Sequence, residues 1–212
     1  MHQMAGNSIS NELLAADAIH IEQDRLREPV GVQDQISAAF GGFNHITFHT
    51  DGRYDVRPVA LPRERLDALH RHLLLLFTGI PRACDVAQTI VDNLAHHAGE
   101  MRTLQQMADQ AMRVLCSSAD LHELGELMHE SWRLKRALSD CVTSVEIDDL
   151  YAAAQRARAI GEMLGAGGGG FMLLFVRPED RARVCEALPG LFEVPFRFDA
   201  SGCQIVLYQP DV

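Results

Sequence analysis

Basic side chains are scarce in this sequence. Lys and Arg together number 19 against 29 Asp and Glu, which gives a formal net charge of −10 at pH 7, and Lys135 is the only lysine. A nucleic-acid-binding protein needs a basic surface to displace counterions from phosphates, so this balance argues against a nucleic-acid partner. A small phosphorylated ligand is not excluded, because a few arginines or backbone N–H groups can hold one phosphate.

Long apolar runs and paired cysteines are also missing. The most apolar stretch, residues 73–77, is far too short to cross a bilayer. The first residues lack the basic start and apolar segment of a secretory signal. The 5 cysteines are scattered without a C-x-x-C pair, which is more typical of reduced thiols than of a disulfide framework or a zinc site. Together these absences predict a soluble cytoplasmic protein without a membrane partner.

The composition is that of an ordinary globular protein, 47% hydrophobic and 23% charged. Its apolar pattern changes near residue 80. Before that point we predict a helix at 11–23, a β-hairpin that turns at Asp51-Gly52 and a buried strand at 73–77. The two hairpin strands are expected at 45–48 and 54–59.

The second part of the sequence begins with helical periodicity alone. Helices are predicted there at 82–98, 100–115, 120–138 and 146–161. After a run of glycines, strands are predicted at 171–176, 191–198 and 204–208, with a helix at 178–187. This distribution of strands and helices predicts an α+β fold, with a candidate domain boundary in the turn at 78–81.

The glycine run is the most unusual segment. It reads Gly165, Ala166, Gly167, Gly168, Gly169, Gly170. So many glycines lose much conformational entropy on folding, so the run is expected where the backbone approaches a ligand or turns successive N–H groups toward an anion. The alternatives are a flexible connector or a close helix–strand contact. The run is not a Walker A loop, because that motif requires a lysine and Lys135 lies nowhere near the glycines. It is not a dinucleotide-binding motif either, because such a motif follows a strand and this run follows a predicted helix.

The second unusual segment surrounds Asp34. Gln33 and Gln35 flank this aspartate, which follows a Pro/Gly loop and precedes small apolar residues and a Gly-Gly turn. A carboxylate held by such hydrogen-bonding neighbours is suited to accept a proton from a substrate hydroxyl. Taken alone, an aspartate at this place is more often a helix cap.

Together the two segments resemble the GHMP kinases. Gly31-Val32-Gln33-Asp34-Gln35, a Gly-Gly turn and a later GAGGGGF loop form a specific combination. Segments 77–80, 132–139 and 147–151 look like those of the heptose 7-phosphate kinases, and the resemblance extends over about residues 12–208. It implies a partial GHMP kinase fold. Residues 1–80 would be a remnant of the N-terminal S5-like domain, and 81–212 a C-terminal ferredoxin-like α/β sandwich with added helices.

The same resemblance gives each site residue an expected role. Asp34 aligns with the catalytic aspartate, which takes or orients the proton of the attacking sugar hydroxyl, and Gln33 and Gln35 are expected at the phosphate or substrate. Glu22 lies where many relatives place a magnesium-binding glutamate, although an exposed helix carboxylate is an equally good interpretation. Residues 165–170 match the loop that shapes the phosphate and substrate end of the site. The implied reaction transfers the ATP γ-phosphoryl group to a sugar hydroxyl, so ATP and Mg²⁺ are the expected cofactors.

Two departures from the family pattern bear on activity. The Gly-Leu-Gly-Ser-Ser-type loop that places a helix N-terminus against the nucleotide triphosphate is not found in the 212 residues. Glu162 stands where relatives often carry a lysine just ahead of the glycine loop, and its carboxylate would repel a phosphate unless it points away. We therefore expect kinase ancestry, with no ATP-dependent turnover by the isolated chain.

The leading expectation is a sugar-phosphate kinase that is incomplete without an N-terminal part. The alternatives are a truncated, inactive sugar-phosphate-binding or regulatory protein, and a GHMP kinase for another sugar such as fucose or galactose. Without upstream strands the chain would expose strand edges and apolar surface, which predicts a homodimer or a partner that supplies the missing part.

Two weaker candidates complete the set. Arg82 follows the turn at 78–81 and opens a predicted helix, so it is a candidate for a substrate phosphate, although a solvated helix start is the more ordinary interpretation. The paired histidines, such as His45 with His49, lack a carboxylate or cysteine at metal-ligand spacing. A metal hydrolase is therefore not favoured.

Overall fold

A computed structural model describes residues 9–81 and 86–204 of the chain. These residues form two compact units, one from the residues up to Ala60 together with those from Phe198 onward, the other Leu61–Arg197. The predicted division into domains 1–80 and 81–212 stays a prediction, because compact units and family domains are defined differently.

The first unit contains two helices and a β-hairpin. Helix α1 (Asn11–Ile19) begins at Ser10, whose Oγ accepts a hydrogen bond from Leu13 N at 3.3 Å, as an N-cap serine does. The other elements are a π-helical turn (His20–Arg25), α2 (Gln33–Phe40), β1 (Asn44–Phe48) and β2 (Tyr54–Pro58). The predicted helix at 11–23 and the predicted hairpin are therefore confirmed.

The small core of this unit lies where α1 packs against α2. Ala15, Ile36 and Ala39 are buried there, each at most 3% exposed. Small side chains at two of these three positions let the helix backbones come close together. The contact positions the beginning of α2, where Asp34 lies.

The second unit contains most of the helices and a four-stranded sheet. Its elements are α3 (Arg63–His72), β3 (Leu73–Phe77), α4 (Val86–Asn93), a 3₁₀ turn (Leu94–His97), α5 (Ala98–Leu115), α6 (His122–Leu138), α7 (Val145–Arg156), β4 (Ala159–Met163), β5 (Phe171–Val176), a 3₁₀ turn (Pro178–Asp180), α8 (Arg181–Ala187) and β6 (Phe192–Glu193). Within the described residues no helix is long and apolar enough to cross a membrane.

The sheet is antiparallel, in the order β4-β5-β3-β6. In the register of β3 against β5, Leu74 lies opposite Leu174 and Leu76 opposite Met172. All four side chains are at most 3% exposed and belong to the main core, together with Trp132. Because successive side chains of a strand point to opposite faces, these alternate residues fix the face that the helices cover.

The predicted helix at 146–161 is wrong in its last part. Helix α7 ends at Arg156, Arg158 has a positive φ of 71°, and Ala159–Met163 form strand β4. Along β4 every second residue is buried, which is the period of a strand and not of a helix. Pairing with β5 therefore overrides the local helical pattern.

The other predicted elements have mixed outcomes. The helices at 100–115 and 120–138, the strands at 73–77 and 171–176 and the helix at 178–187 are confirmed. The strand predicted at 191–198 is wrong over most of its length, since its pairing with β3 ends at the hydrogen bond from Val194 N to Leu75 O, and Pro195 has no N–H to donate. Residues 82–85 of the first predicted helix, and 205–208 of the last predicted strand, lie outside the described residues.

The expectation of reduced thiols fails at Cys141. Cys141 is disulfide-bonded, whereas Cys116, Cys185 and Cys203 carry free thiols. Spacing along the chain says little about proximity in space, so scattered cysteines do not exclude a bond between two of them.

A buried tyrosine ties α7 to the edge strand β4. Tyr151 Oη donates to Gly161 O at 2.9 Å and accepts from Gly161 N at 3.1 Å, and His129 Nδ1 lies 2.6 Å from the same oxygen. Because the hydroxyl proton goes to the carbonyl, His129 donates to Tyr151 through Nδ1–H. Burial raises the pKa of Tyr151 to about 12. One hydroxyl thus satisfies the outward-facing N–H and C=O of Gly161.

Tyr151→Phe is expected to lower the free energy of unfolding by about 1–3 kcal/mol, because Gly161 and His129 lose their shared partner. Urea unfolding followed by circular dichroism measures the change. Tyr54→Phe is the control, since the Tyr54 hydroxyl has no hydrogen-bond partner among the described residues, and a change below about 0.5 kcal/mol is expected for it. Equal losses in the two variants would contradict the role given to Tyr151.

The raised pKa of Tyr151 also predicts a pH dependence. In the unfolded chain this hydroxyl ionises near pH 10, whereas in the folded chain it stays protonated to about pH 12. Stability from the neutral hydroxyl is therefore fully present below about pH 10 and is lost as the pH rises toward 12. We expect a smaller alkaline loss in Tyr151→Phe than in the unmodified chain, measured by unfolding at pH 9 to 12.

Candidate active site

The glycine run forms the hairpin loop between β4 and β5. Met163 lies opposite Met172 in the ladder, and Leu164 N donates to Phe171 O at 2.9 Å. The predicted order of helix, loop and strand is therefore wrong, because a strand precedes the loop. All five glycines have positive φ, 68°, 98°, 74°, 152° and 86° in chain order, a region that residues with a Cβ rarely adopt.

Two neighbouring segments hold this loop. Gly170 O accepts hydrogen bonds from both N and Oγ1 of Thr78, each at 2.8 Å, and Gly170 N donates to Ile80 O at 3.1 Å. On the other side, Gly168 N donates to Val142 O at 2.7 Å. The turn after β3 and the segment before α7 therefore fix the loop from two directions.

Close backbone contact requires glycine at two of these positions. A Cβ at Gly167 would lie 2.7 Å from Val142 O, and a Cβ at Gly169 would collide with Ile80 O. The interpretation of the run as a flexible connector is therefore wrong. The interpretation as a close contact explains Gly167 and Gly169, although the contact is made with neighbouring backbone and not with a helix.

Four N–H groups of the loop have no hydrogen-bond acceptor among the described residues. They belong to Gly165, Ala166, Gly167 and Gly169. A buried N–H group normally has a partner, and Gly167 and Gly169 are buried residues. Successive N–H groups in such conformations form the concavities that bind anions in many proteins. The loop backbone is thus suited to hold a phosphate or another oxyanion.

A cavity of about 600 Å³ opens beside the loop, a volume usual for small-molecule sites. The end of β3, the turn after it and both ends of the loop form its walls: Phe77, Gly79, Ile80, Pro81, Leu164, Gly165, Gly170 and Phe171. The wall is mainly apolar, with backbone polar groups at the loop. The cavity can therefore hold a molecule with both an apolar and a polar side.

An ion pair neutralises the carboxylate that departs from the family pattern. Lys135 Nζ lies 3.2 Å from Glu162 Oε2 and 3.1 Å from Met163 O. The two side chains are 21% and 22% exposed, so solvent screens this pair only in part. The only lysine of the chain thereby reduces the repulsion that Glu162 would exert on a nearby anion.

The predicted catalytic aspartate lies at the beginning of α2. Asp34 and Gln33 are exposed in the first helical turn. The N-cap of α2 is Val32, which makes no side-chain capping bond, so the interpretation of Asp34 as a helix cap is wrong. A carboxylate in the first turn is favoured by the helix dipole. Its exposure leaves it accessible to a substrate.

Gln35 and Glu22 are brought together by the packing of α1 and its π-helical extension on α2. Gln35 is 6% exposed, and its Nε2 donates to Glu22 Oε2 at 2.6 Å. Gln35 Oε1 is buried and has no partner within the described ranges. Glu22 is half-buried and hydrogen-bonded, so the interpretation as an exposed helix carboxylate is wrong.

The donor set around Glu22 is compatible with Mg²⁺. The ion prefers oxygen ligands and is often bound through one or two carboxylates, with phosphate and water oxygens completing its shell. The Glu22 carboxylate and the partnerless Gln35 Oε1 are oxygen donors of this kind. In the described part of the chain, no group of three or more His, Cys, Asp or Glu side chains is placed to hold a metal ion.

The predicted site residues are divided between the two units. Asp34, Glu22, Gln33 and Gln35 belong to the first unit, and the loop at 165–170 to the second. That they line one shared pocket, as the resemblance implies, stays a prediction. Arg82 lies outside the described residues.

Three residues at the cavity were missed as candidates from the sequence. Thr78 holds the loop through its side chain, and Phe77 and Phe171 line the cavity. Two sequence features could have pointed to these residues. Thr78 directly follows an all-apolar predicted strand, and each of two predicted strands carries a phenylalanine at one end, Phe77 and Phe171. Only the antiparallel pairing of β3 with β5 places these residues side by side.

The comparison with protein families decides the assignment of this region. Residues 111–194 match the family described as GHMP kinases C terminal. The match includes β4, the glycine loop and β5. This region is therefore similar to the C-terminal domain of the GHMP kinases. The α+β fold expected from the resemblance is confirmed with it.

Similarity to known kinases extends beyond this matched region. The chain is 32% identical to the D-glycero-alpha-D-manno-heptose 7-phosphate kinase of Campylobacter jejuni over 181 residues, which are 82% of this chain and 52% of that protein. It is 28% identical to the bifunctional fucokinase/GDP-fucose pyrophosphorylase of Arabidopsis thaliana over 191 residues, 85% of this chain and 18% of that protein. The chain thus spans about half the length of the first relative.

A solved structure supports the same relationship. The D-glycero-D-manno-heptose 1-phosphate kinase of Bacteroides thetaiotaomicron superposes with a TM-score of 0.69 at 25% identity. The superposition covers 95% of this chain and 56% of that chain. Both units of the chain therefore have counterparts in one sugar-phosphate kinase.

Gly169→Ala is expected to lower the free energy of unfolding by about 2–5 kcal/mol, because a strained backbone and a collision with Ile80 O add together. Gly170→Ala is the matched control. It has a φ of 86° and no atom within 4 Å of the added Cβ, so about 1–2 kcal/mol is expected from strain alone. Urea unfolding measures both variants, and equal losses would contradict the close contact at Gly169.

Proposed function

We propose that this chain is the sugar-binding and catalytic part of a GHMP-type kinase that transfers the ATP γ-phosphoryl group to a hydroxyl of a heptose 7-phosphate-like sugar. The observation that carries the proposal is the glycine loop of the matched domain, held rigidly and with four N–H groups without an acceptor among the described residues. The 32% identity to a heptose 7-phosphate kinase supports the acceptor class.

In this proposal the first unit supplies the acid–base and metal-binding groups. Asp34 accepts or orients the proton of the attacking hydroxyl. Glu22 would hold Mg²⁺, which supplies charge neutralisation for phosphoryl transfer when bound. The expected role of Gln35 changes, because its amide donates to Glu22 at 2.6 Å. It is better placed to orient that carboxylate than to contact the sugar.

The glycine loop supplies the oxyanion-binding groups in the same proposal. Phosphoryl transfer depends mainly on positioning and on charge stabilisation, and preorganised N–H donors provide both. The loop is preorganised, because Thr78 holds its last residue, Gly170, and Val142 O binds Gly168 within it. Backbone N–H donors carry no net charge, so a protein with few basic side chains can still bind a phosphate through them.

Nucleotide binding is assigned to a part that these 212 residues do not contain. No segment of the sequence matches the Gly-Leu-Gly-Ser-Ser-type loop, which would bring helix N–H groups to the triphosphate. We therefore expect residues 1–212 alone to bind a sugar phosphate and not to transfer phosphate from ATP.

Two other candidates follow from specific observations. Residues 1–212 contain no segment of the Gly-Leu-Gly-Ser-Ser type, as expected if these residues act as a sugar-phosphate-binding or regulatory protein without transferase activity. The similarity to the Arabidopsis protein that includes a fucokinase favours a kinase for another sugar, such as fucose. Binding and transfer experiments together distinguish the three.

Calorimetric titration of the 212-residue chain with heptose 7-phosphate and with Mg-ATP, separately, is the first test. We expect heat from the sugar phosphate and none from Mg-ATP, because only the acceptor side of the site is present. Fucose and galactose, titrated in parallel, test the acceptor class. Binding of Mg-ATP alone, or of no sugar, would contradict the proposal.

The second test adds the missing part. A chimera that joins the segment of the Campylobacter kinase preceding the matched region to this chain is expected to phosphorylate heptose 7-phosphate. Asp34→Asn in the chimera is expected to lower kcat by about 10²–10⁴-fold. The control is Ser37→Ala, an exposed change on the same helix, which should leave kcat unaltered. A chimera that binds both substrates without transfer would favour the regulatory alternative.

A further inference from the structure

Two phenylalanines stand side by side at the cavity next to the glycine loop. Phe77 ends β3 and Phe171 begins β5, and the two are direct partners in the antiparallel ladder, so their side chains lie on the same face of the sheet. The ring centroids are 5.1 Å apart, with the rings tilted by 49°. Both rings line the cavity of about 600 Å³.

The exposure of this pair is unusual for the sheet. Phe77 is 43% and Phe171 39% exposed, while their chain neighbours Leu76 and Met172 are at most 3% exposed. A single exposed apolar side chain needs no explanation, but adjacent aromatic rings that form a cavity wall are typical of a binding site. The pair is therefore placed to contact a ligand.

The glycine-loop part of the cavity wall has different chemistry. Gly165 and Gly170 line it, and Gly165 is one of the residues whose N–H has no acceptor in the described part of the chain. An occupant that matches both sides has an apolar face for the rings and an anionic group for the N–H donors. A sugar phosphate has both, because one face of a sugar ring carries C–H groups that the negative face of an aromatic ring attracts.

We propose that Phe77 and Phe171 form a stacking wall for the apolar face of the acceptor sugar, while the N–H groups of the glycine loop receive its phosphate. The inference rests on the proposed function for the class of acceptor, but it does not depend on phosphoryl transfer. It assigns sugar affinity to the rings and phosphate affinity to the loop.

A third phenylalanine supplies the control. Phe192 on β6 lies opposite Phe77 in the ladder and is 66% exposed, but it does not line the cavity. A surface for a second copy of the chain would use all three rings of this row. A sugar-binding wall uses only Phe77 and Phe171.

The experiment titrates the 212-residue chain with heptose 7-phosphate and, separately, with inorganic phosphate. Phe77→Ala and Phe171→Ala are each expected to raise the Kd for the sugar phosphate roughly tenfold, as loss of a well-packed aromatic contact does. The Kd for inorganic phosphate is expected to stay unchanged, and Phe192→Ala is expected to change neither. Phe171→Leu keeps apolar volume without a ring and is expected to fall between Phe171→Ala and the unmodified chain.

Each other outcome overturns the inference in a recognisable way. Sugar-phosphate binding that both alanine variants leave unchanged overturns the stacking wall but not the proposed function. A chain that binds no sugar phosphate overturns both. Equal weakening of sugar phosphate and inorganic phosphate assigns the effect to a disturbed loop. Self-association that all three alanine variants abolish, measured by sedimentation velocity, with unchanged sugar affinity, assigns the row to a second copy of the chain.

Discussion

The hydrogen bonds between Gly170 and the turn after β3 are the constraint on which the geometry of the second unit's site depends. Strand β3 lies inside the sheet, with Leu74 and Leu76 in the main core. Its end is therefore fixed by the packing of the whole unit. Thr78, directly after β3, donates to Gly170 O through both its N–H and its hydroxyl. These bonds fix the glycine loop to the end of the strand. The loop can then keep its shape although four of its N–H groups have no acceptor among the residues that the structure describes.

The same constraint explains why the loop is made of glycine. The chain must turn from β4 into β5 while it lies against Val142 on one side and Ile80 on the other. At Gly167 and Gly169 a Cβ would meet a carbonyl oxygen of these residues. The loop is thus both rigid and free of side chains, which is a suitable arrangement for binding a small anion close to the backbone. The cavity and its two aromatic rings lie at the edge of this rigid turn.

Each unit contains one polar pair that orients a carboxylate. Lys135 pairs with Glu162 just before the loop, and Gln35 holds Glu22 beside the helix that carries Asp34. In each pair one side chain orients the carboxylate of the other, so neither carboxylate is left without a partner in a partly buried place. The acidic composition of the chain is therefore compatible with an anionic substrate, because the nearby carboxylate is compensated and the binding donors are backbone groups.

Much of the fold and part of the site followed from the sequence alone. Helical periodicity predicted the long helices at 100–115 and 120–138, which the structure has at Ala98–Leu115 and His122–Leu138. The alternation around Asp51-Gly52 predicted the hairpin, and the glycine run with Asp34 indicated the resemblance to the GHMP kinases. These features are local, since their signal lies in residues close together in the chain. The sequence also gave the residue types of the site, but not their neighbours.

Only the tertiary structure decided which residues meet. The residues of strand β4 were predicted to be helical, because they form a strand through pairing with β5 and not through their own propensity. The contacts of Gln35 with Glu22, of Lys135 with Glu162 and of Phe77 with Phe171 join residues far apart in the chain. Such contacts are set by how helices and strands pack, and this packing depends on all the side chains of the core together. The sequence by itself determined that a glycine loop and an aspartate are present, and the tertiary structure decided what surrounds each of them.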